Sequence, residues 1–434
     1  MPAATTEQVY DLFKRQSRVC TDTRNIIPGS IFFALKGANF NGNSFAADAI
    51  KQGAAFAVID EAAYDTGDHC LLVPDVLTAL QDIARLHRRY TKIPVIAITG
   101  SNGKTTTKEL VAAVLSKKFK TLFTQGNLNN HIGVPLTLLR ITVADEMAVI
   151  EMGANHQQEI ALLCSIAEPD SGMITNAGLA HLEGFGGPEG VLKGKTELFD
   201  FLRTKTGTAF VLSDDPRLTE RAKGIQKIIT YGVKNEAQVR GTLIAADPFV
   251  RFRWSSPGIS TREVATQMVG DYNLPNMLAA ISCGLEYGVS PEDIDAAVAG
   301  YIPDMNRSQV IRRGSNTIIM DAYNANPSSM TAALRNFAGM AGEHKLVILG
   351  DMLELGQDEK SLHQQIVNQL SELQLKNVLL VGSIFSGCSL SPGTVFVNDS
   401  GKATTWLKEN PPQNSLVLVK GSRGTKLEKV LDAL

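Results

Sequence analysis

With 434 residues, a formal net charge of −2 and a mean hydropathy of −0.01, the chain exceeds what one core can hold and has no global field to attract nucleic acid or anionic lipid. Its 5 cysteines are scattered and never form Cys-x-x-Cys, which argues against a disulfide frame or zinc site and for reduced thiols in a cytoplasm. No apolar run reaches membrane-spanning length and Met1–Tyr10 carries no basic-then-apolar signal, so neither export nor membrane insertion is expected.

Up to Tyr90 the elements are short. Ile31–Leu35, Ala55–Ile59 and Leu71–Val73 read as strands, and Phe45–Gln52 and Leu77–Arg89 as helices. They predict a small α/β domain over 1–92, closed by the linker Thr91–Pro94. Two polar, glycine-bearing loops lie beside its strands. Thr23, Arg24 and Asn39 on these loops are candidates for binding, or are turn residues only.

Pro94–Ile98 has the β-branched density of a buried parallel strand, and Leu110, Val111, Val114 and Leu115 recur at helical spacing within Thr107–Lys118. Between them stands Thr99-Gly-Ser-Asn-Gly-Lys-Thr-Thr106. Strand, glycine loop and helix in that order cradle an anion, because backbone N–H groups and the helix dipole both face it. The spacing is the shorter Gly-x-x-Gly-Lys-Thr, since Ile98 stands where a first glycine is usual. An ATP site built from Gly100, Ser101, Asn102, Gly103, Lys104, Thr105 and Thr106 is expected, with Lys104 along the β- and γ-phosphates and the Thr105 hydroxyl on Mg²⁺.

Further along, Met147–Ile150 predicts a strand with Glu151 at its end, placed either as an acid holding Mg²⁺ opposite the glycine loop or as a solvated loop acid. The strand Gly172–Thr175 runs into Asn176–Gly187, read as a mobile loop whose His181 is a surface or core histidine on its own chemistry. A helix from Pro188 to about Phe201 carries Lys193 and Lys195, both read as solvated. Val239–Met268 alternates as hairpin strands. Gly270 opens a helix that sets Asn273 and Asn276 at i, i+3, suited to capping or to the edge of an adenine. These elements predict a central domain over 93–312. From about Gly314 strand and helix alternate again, with strands at Thr317–Met320, Leu346–Leu349, Val378–Val381, Thr394–Val397 and Leu416–Val419, a doubly wound sheet over 313–434. Polar residues gather where its strands end, in Asp321–Met330, Gly350–Gly356 and Lys420–Glu428.

Taken in order, these motifs resemble the Mur ligases, ATP-dependent amide-forming enzymes of peptidoglycan precursor synthesis. The resemblance rests on Thr99–Thr106, Gly126-Asn-Leu-Asn-Asn-His-Ile-Gly-Val-Pro135, Glu151-Met-Gly-Ala-Asn-His156, His181-Leu-Glu-Gly-Phe-Gly186, Asp321-Ala-Tyr-Asn-Ala-Asn-Pro327 and Lys420-Gly-Ser-Arg-Gly424, and it covers the whole chain. The later motifs point to the branch that adds D-Ala-D-Ala to UDP-MurNAc-tripeptide. The Asp-Asn-Pro-Arg motif of ligases that add diaminopimelate as the third residue is missing. The rivals are such a third-residue ligase, a folylpolyglutamate synthase-like ligase, and a nucleotide-driven switch protein.

The resemblance implies three domains: a UDP-sugar-binding α/β domain, a P-loop ATP-binding α/β domain and a Rossmann-like C-terminal domain. It implies ATP and Mg²⁺ as cofactors, small-molecule substrates, a cytoplasmic location and a monomer. It also implies Thr105, Glu151, His181 and Lys195 as Mg²⁺ ligands, Lys195 as an N-carbamate, and Lys104, Lys195, His181 and Arg307 as catalytic. Asn273 and Asn276 would approach adenine, Asp321 the ribose and Arg307 the phosphates. Thr23, Arg24, Asn39, Asn127, Asn129, Tyr323, Asn324, Asn326 and Arg423 would touch the other substrates.

Overall fold

The computed structural model describes residues 3–234 and 236–434. Near the N-terminus, Val19–Cys20, Ile31–Phe33, Phe56–Ile59 and Cys70–Leu72 form a 4-stranded parallel sheet, and a small hairpin, Lys36–Gly37 with Phe40–Asn41, stands apart from it. The helix Val76–Thr91, capped by Asp75, carries the chain out of this domain and runs slightly past the expected Leu77–Arg89 at both ends.

The central sheet has 9 strands. In spatial order they are Ile259–Val269, Phe249–Ser256, Val239–Ala246, Lys227–Gly232, Thr208–Leu212, Ser171–Ile174, Val95–Thr99, Met147–Glu151 and Thr121–Phe123. All pairings are parallel except the hairpins of Phe249–Ser256 with its neighbours. After Val95–Thr99 the chain crosses to the far edge at Thr121–Phe123, returns to Met147–Glu151, and then resumes on the other side at Ser171–Ile174. Val95–Thr99 is therefore the strand at which the order reverses, and a crevice opens beyond its carboxyl end. All five of its residues are buried, as its Val-Ile-Ala-Ile run requires.

The C-terminal sheet has 6 strands in the order Gln309–Arg313, Asn316–Asp321, Ser415–Lys420, His344–Gly350, Val378–Val381 and Thr394–Val397. The five expected strands are present. Gln309–Arg313, unread in the sequence, pairs antiparallel with Asn316–Asp321, so this sheet begins ahead of the expected boundary at 313. Ser415–Lys420 slots between the first and second parallel strands, which sets Asp321 directly opposite Lys420 in register.

The apolar cores divide unevenly among these sheets. One buried cluster runs from Val9, Phe13 and Ile83 of the N-terminal domain into Val95, Ile150, Ile166 and Leu202 of the central domain. The C-terminal domain has two clusters, on either face of its sheet, joined from the central domain by Val269 and the partly buried Leu182.

Candidate active site

The glycine loop follows Val95–Thr99. Gly100 has φ +145° and a Cβ there would stand 2.0 Å from Thr175 Oγ1; Gly103 has φ +78° and a Cβ would stand 2.7 Å from Asn276 Oδ1. Only glycine meets both the backbone geometry and the contact at these positions. Gly103 caps the helix Lys104–Leu115, which starts earlier than the expected Thr107 and stops before Lys118. The earlier start puts the N–H groups of its first turn at the mouth of the crevice, where an anion would accept them.

Neighbouring strands lock the loop. Asn102 N donates to Asn176 Oδ1 (3.0 Å), the Asn102 carbonyl accepts Thr175 Oγ1 (2.5 Å), and Ser101 Oγ donates to the Gly178 carbonyl (3.0 Å). Partly buried Lys104 folds back, with Nζ donating to the carbonyls of Gly100 (2.7 Å) and Ser101 (3.2 Å). Burial pushes its amine below the ordinary lysine range; Glu151 opposes this and Arg307 adds to it. Thr105 Oγ1 donates to Glu151 Oε2 (2.9 Å), while Asn129 Nδ2 donates to Glu151 Oε1 (2.8 Å). Glu151 is thus a buried carboxylate beside the loop, not a solvated acid.

The cleft around this loop measures about 790 Å³ and is lined from both the central and C-terminal domains. Asn273 and Asn276 line it together, buried and linked through Asn276 Nδ2 to Asn273 Oδ1 (2.9 Å), and neither caps the helix Leu274–Glu286 with its side chain. From the C-terminal side come Asp321, Tyr323 and Asn324. Asp321 accepts from Lys420 Nζ (2.6 Å), a buried lysine that sequence reasoning missed because its partner is set by sheet register. Arg307 also lines the cleft: its guanidinium lies 3.6 Å over the Tyr323 ring, and its buried Nε has no partner. An unpaired buried donor on a cation facing this loop fits an anionic ligand.

Two lysine and histidine expectations change. Lys195, on the helix Pro188–Thr204, is 1% exposed, with Nζ donating to the Ala154 carbonyl (2.9 Å) over the Phe185 ring; Lys193 is solvated as expected. Burial, reinforced by Lys104, pushes the Lys195 amine well below the ordinary range, and Glu159 and Glu197 only partly oppose it. The segment Asn176–Gly187 is not one unbroken loop, since Leu182–Phe185 forms a short helix. His181 precedes it at φ +52°, with Nδ1 2.5 Å from Glu354 Oε2 in a contact that is not aligned as a hydrogen bond. The Glu354 carboxyl is held below its usual range by that histidine.

Other expected residues fall outside the cleft lining. Thr23 and Arg24 lie on the short turn Thr23–Asn25, where the exposed Arg24 guanidinium is held by Asp22, and Asn39 is exposed at the hairpin turn. Arg423 sits 5.3 Å from the Tyr323 ring but does not line the cleft. Asn326, expected at the substrate, instead caps the helix Pro327–Gly339 and bonds to Asn102. Asn127 and Thr106 also line the cleft. Among the described residues, no three His, Cys, Asp or Glu side chains group as a metal centre; Thr105 and Glu151 set two oxygen-bearing side chains together beside the loop, the donor chemistry that a hard cation takes.

A glycine loop at the reversal point of one α/β sheet, facing polar strand ends of a second α/β domain across a shared cleft, defines a multidomain P-loop protein built to bring a phosphate and a second substrate together. Profiles of the Mur ligase family, catalytic domain match residues 17–88, of the Mur ligase middle domain residues 98–284, and of the Mur ligase, glutamate ligase domain residues 306–423. The UDP-N-acetylmuramoyl-tripeptide–D-alanyl-D-alanine ligases of Escherichia coli (strain K12) and Bacillus subtilis (strain 168) are 36% and 34% identical to the chain. Each alignment spans 96% of the chain and, respectively, 93% and 92% of the relative. The crystal structure of MurF ligase from Thermotoga maritima in complex with ADP superposes with a TM-score of 0.88 at 26% identity, covering 98% of this chain and 97% of that one. The chain belongs to the Mur ligase family.

Proposed function

We infer that this chain is an ATP-dependent ligase that joins D-alanyl-D-alanine to UDP-N-acetylmuramoyl-tripeptide, giving the pentapeptide precursor of peptidoglycan. The observation that carries this reading is the end-to-end match to ligases of that name, with the phosphate loop and the strand ends of the C-terminal domain lining one cleft. A carboxylate does not react with an amine at neutral pH unless it is activated. In this reading the tripeptide's terminal carboxylate takes the γ-phosphoryl group of ATP, and the free amine of D-Ala-D-Ala attacks the resulting acyl phosphate, expelling phosphate.

The chain's own residues would contribute as follows. Loop N–H groups, Lys104 and Arg307 hold phosphate oxygens, and the unpaired Arg307 Nε and the folded-back Lys104 both have donors to offer. Asp321, already tied to Lys420, would accept from the ribose, with Asn273 and Asn276 at the base. Thr105 and Glu151 would hold Mg²⁺, which, when bound, neutralises phosphate charge and orients the oxygens. The buried Lys195 amine suits CO₂ capture: its nitrogen adds to carbon, loses a proton and becomes an N-carboxylate, turning a cation site into an anionic one. His181, with Nδ1 beside Glu354, keeps Nε2 for the cleft.

The test is phosphate release from ATP and Mg²⁺ with UDP-MurNAc-tripeptide, with and without D-Ala-D-Ala, read beside mass detection of the pentapeptide. Release that needs both substrates and tracks product is expected. Release stimulated instead by single amino acids or folates would transfer the chain to another branch of the family. Repeating the assay in CO₂-free buffer, where turnover should fall and bicarbonate restore it, tests Lys195 separately.

A further inference from the structure

The glycine loop is gripped from both sides. Its backbone at Asn102 is held by Thr175 and Asn176 of the central domain, and its side chain is held by the C-terminal domain: Asn326 Nδ2 donates to Asn102 Oδ1 (2.7 Å), with a longer return bond from Asn102 Nδ2 to Asn326 Oδ1 (3.4 Å). Asn326 has little freedom to do anything else. Its Oδ1 accepts from Ser329 N (3.0 Å), its own N–H donates to Ser329 Oγ (3.1 Å), and it is 4% exposed. Ser328 adds a second tie, accepting from Leu179 N (3.2 Å), with Gly178 close enough that a Cβ there would stand 3.2 Å from its Oγ. The same short segment that carries Asn326 carries Asp321, Tyr323 and Asn324 into the cleft.

From this geometry we infer that Asn326 is a positioning residue for the ligase reaction: acting through Asn102, it registers the C-terminal domain against the phosphate loop, so that the amine substrate is in line when the acyl phosphate forms. This rests on the amide-ligase reading above. The physical need is timing. An acyl phosphate exposed to water before the amine arrives is hydrolysed, and a misplacement of about 1 Å between reacting groups can cost about 100-fold. An amide pair between the loop that holds the phosphates and the domain that carries the other strand-end residues ties those two positions together. Asn326 itself touches no reacting atom.

Asn326→Ser separates this role from folding. Serine caps a helix about as well as asparagine, so the helix Pro327–Gly339 keeps its N-terminus, but its side chain is too short to reach Asn102. The experiment uses the full-length protein, ATP, Mg²⁺, UDP-MurNAc-tripeptide and D-Ala-D-Ala, and measures kcat, KM for ATP, and phosphate released per pentapeptide formed. Wild type is run first, since failure to make pentapeptide there would sink the reaction assignment and leave the amide pair to be reconsidered with it. With wild type active, Asn326→Ser should lower kcat about 10-fold, hold the ATP KM within about 2-fold, and raise phosphate per product above one-to-one. Asn102→Ala in the Asn326→Ser background should add nothing further to the uncoupling. Tight stoichiometry with unchanged kcat in Asn326→Ser overturns the inference. So does a defect confined to the ATP KM, or further uncoupling when Asn102→Ala is added to Asn326→Ser.

Discussion

The helix Val76–Thr91 meets the central domain through buried and shielded contacts along its length. Arg88 donates to the carbonyls of Ala167 (3.0 Å) and Glu168 (3.1 Å) and to Asp170 (2.7 Å), which also accepts from Val95 N (2.8 Å) at the start of the phosphate-loop strand. Arg85 reaches the Ser165 carbonyl, Arg89 pairs with Glu168, and His87 Nε2 donates to the Ile141 carbonyl (2.8 Å), all beside an apolar cluster that the two domains share. The C-terminal domain meets the same central domain quite differently. Among the described residues its ties are mostly polar side-chain contacts, among them Asn102–Asn326, Leu179–Ser328, Asp247–Ala341, His181–Glu354 and the stacking of Arg307 on Tyr323, while Val269 and Leu182 join its apolar core. Burial of apolar area supplies most of the free energy at an interface, and polar contacts mainly set register. The first seam is therefore a weld and the second a latch, which suits an enzyme that must admit substrates on one side only.

The largest effect expected from breaking this contrast is Arg88→Ala. It strands the Ala167 and Glu168 carbonyls and leaves Asp170 without its cation. Asp170 is 54% exposed at its side chain, so water takes over part of the lost contact. A loss of about 2–3 kcal/mol in urea unfolding is expected, with phosphate-to-product stoichiometry unchanged. A loss below about 1 kcal/mol would mean that the apolar cluster alone makes the weld.

The weld should also weaken in acid. His87 is buried among Tyr10, Phe13 and Tyr90; its Nδ1 accepts from the Tyr10 hydroxyl (3.2 Å) because Nε2 carries the proton toward Ile141. Burial pushes the imidazole below its ordinary value and, with Tyr90 adding, pushes the Tyr10 phenol up to about 12. Below about pH 6.5 the unfolded chain takes up the histidine proton before the folded chain does, so this group costs stability as pH falls from there toward its folded value. His87→Gln should cost about 1–2 kcal/mol at pH 7, and its deficit against wild type should shrink on going to pH 5. His363, also buried and pushed down, is common to both proteins and cancels in that difference. A deficit that is flat across this range would show that His87 is not held neutral.

What was legible in the sequence follows the range of the interactions. Strands such as Val378–Val381 and Thr394–Val397 were read residue for residue, because β-branched runs between turn signals are a local pattern. The glycine loop was legible for the same reason, as strand, loop and helix lie within a few residues of one another. On its own chemistry Lys195 reads as solvated, because its charge outweighs its position, and only the resemblance sets it at a metal site; yet it stands in the stripe of Leu192, Leu198, Phe199 and Leu202, and that spacing is the local signal of burial. Asn326 meets Asn102 across 224 positions, and Asp321 meets Lys420 across 99; no local pattern announces either contact. Asn326 in Asn-Pro-Ser-Ser could have been read as a helix cap, which is half of what it does.

The smallest effect belongs to the outermost tie of the latch. Glu354 is 59% exposed at its side chain, and both it (φ +65°) and His181 (φ +52°) hold left-handed backbone angles that side chains other than glycine adopt at some cost. With Glu354 this exposed, a contact of this kind is worth about 0–1 kcal/mol. Glu354→Gln should consequently leave unfolding stability within about 0.5 kcal/mol of wild type, while amide hydrogen exchange in Asn176–Gly187 quickens about 2-fold, the amount such a contact can protect. Arg88→Ala, despite its larger stability cost, should leave exchange in that segment at the wild-type ratio to its neighbours. If Arg88→Ala instead loosens the segment as much as Glu354→Gln does, the two seams are coupled and the C-terminal domain is not free to open independently. If neither substitution moves it, the segment is held by its other contacts, among them Leu179–Ser328, Ser101–Gly178 and Asn102–Asn176, and the His181–Glu354 contact has no mechanical role.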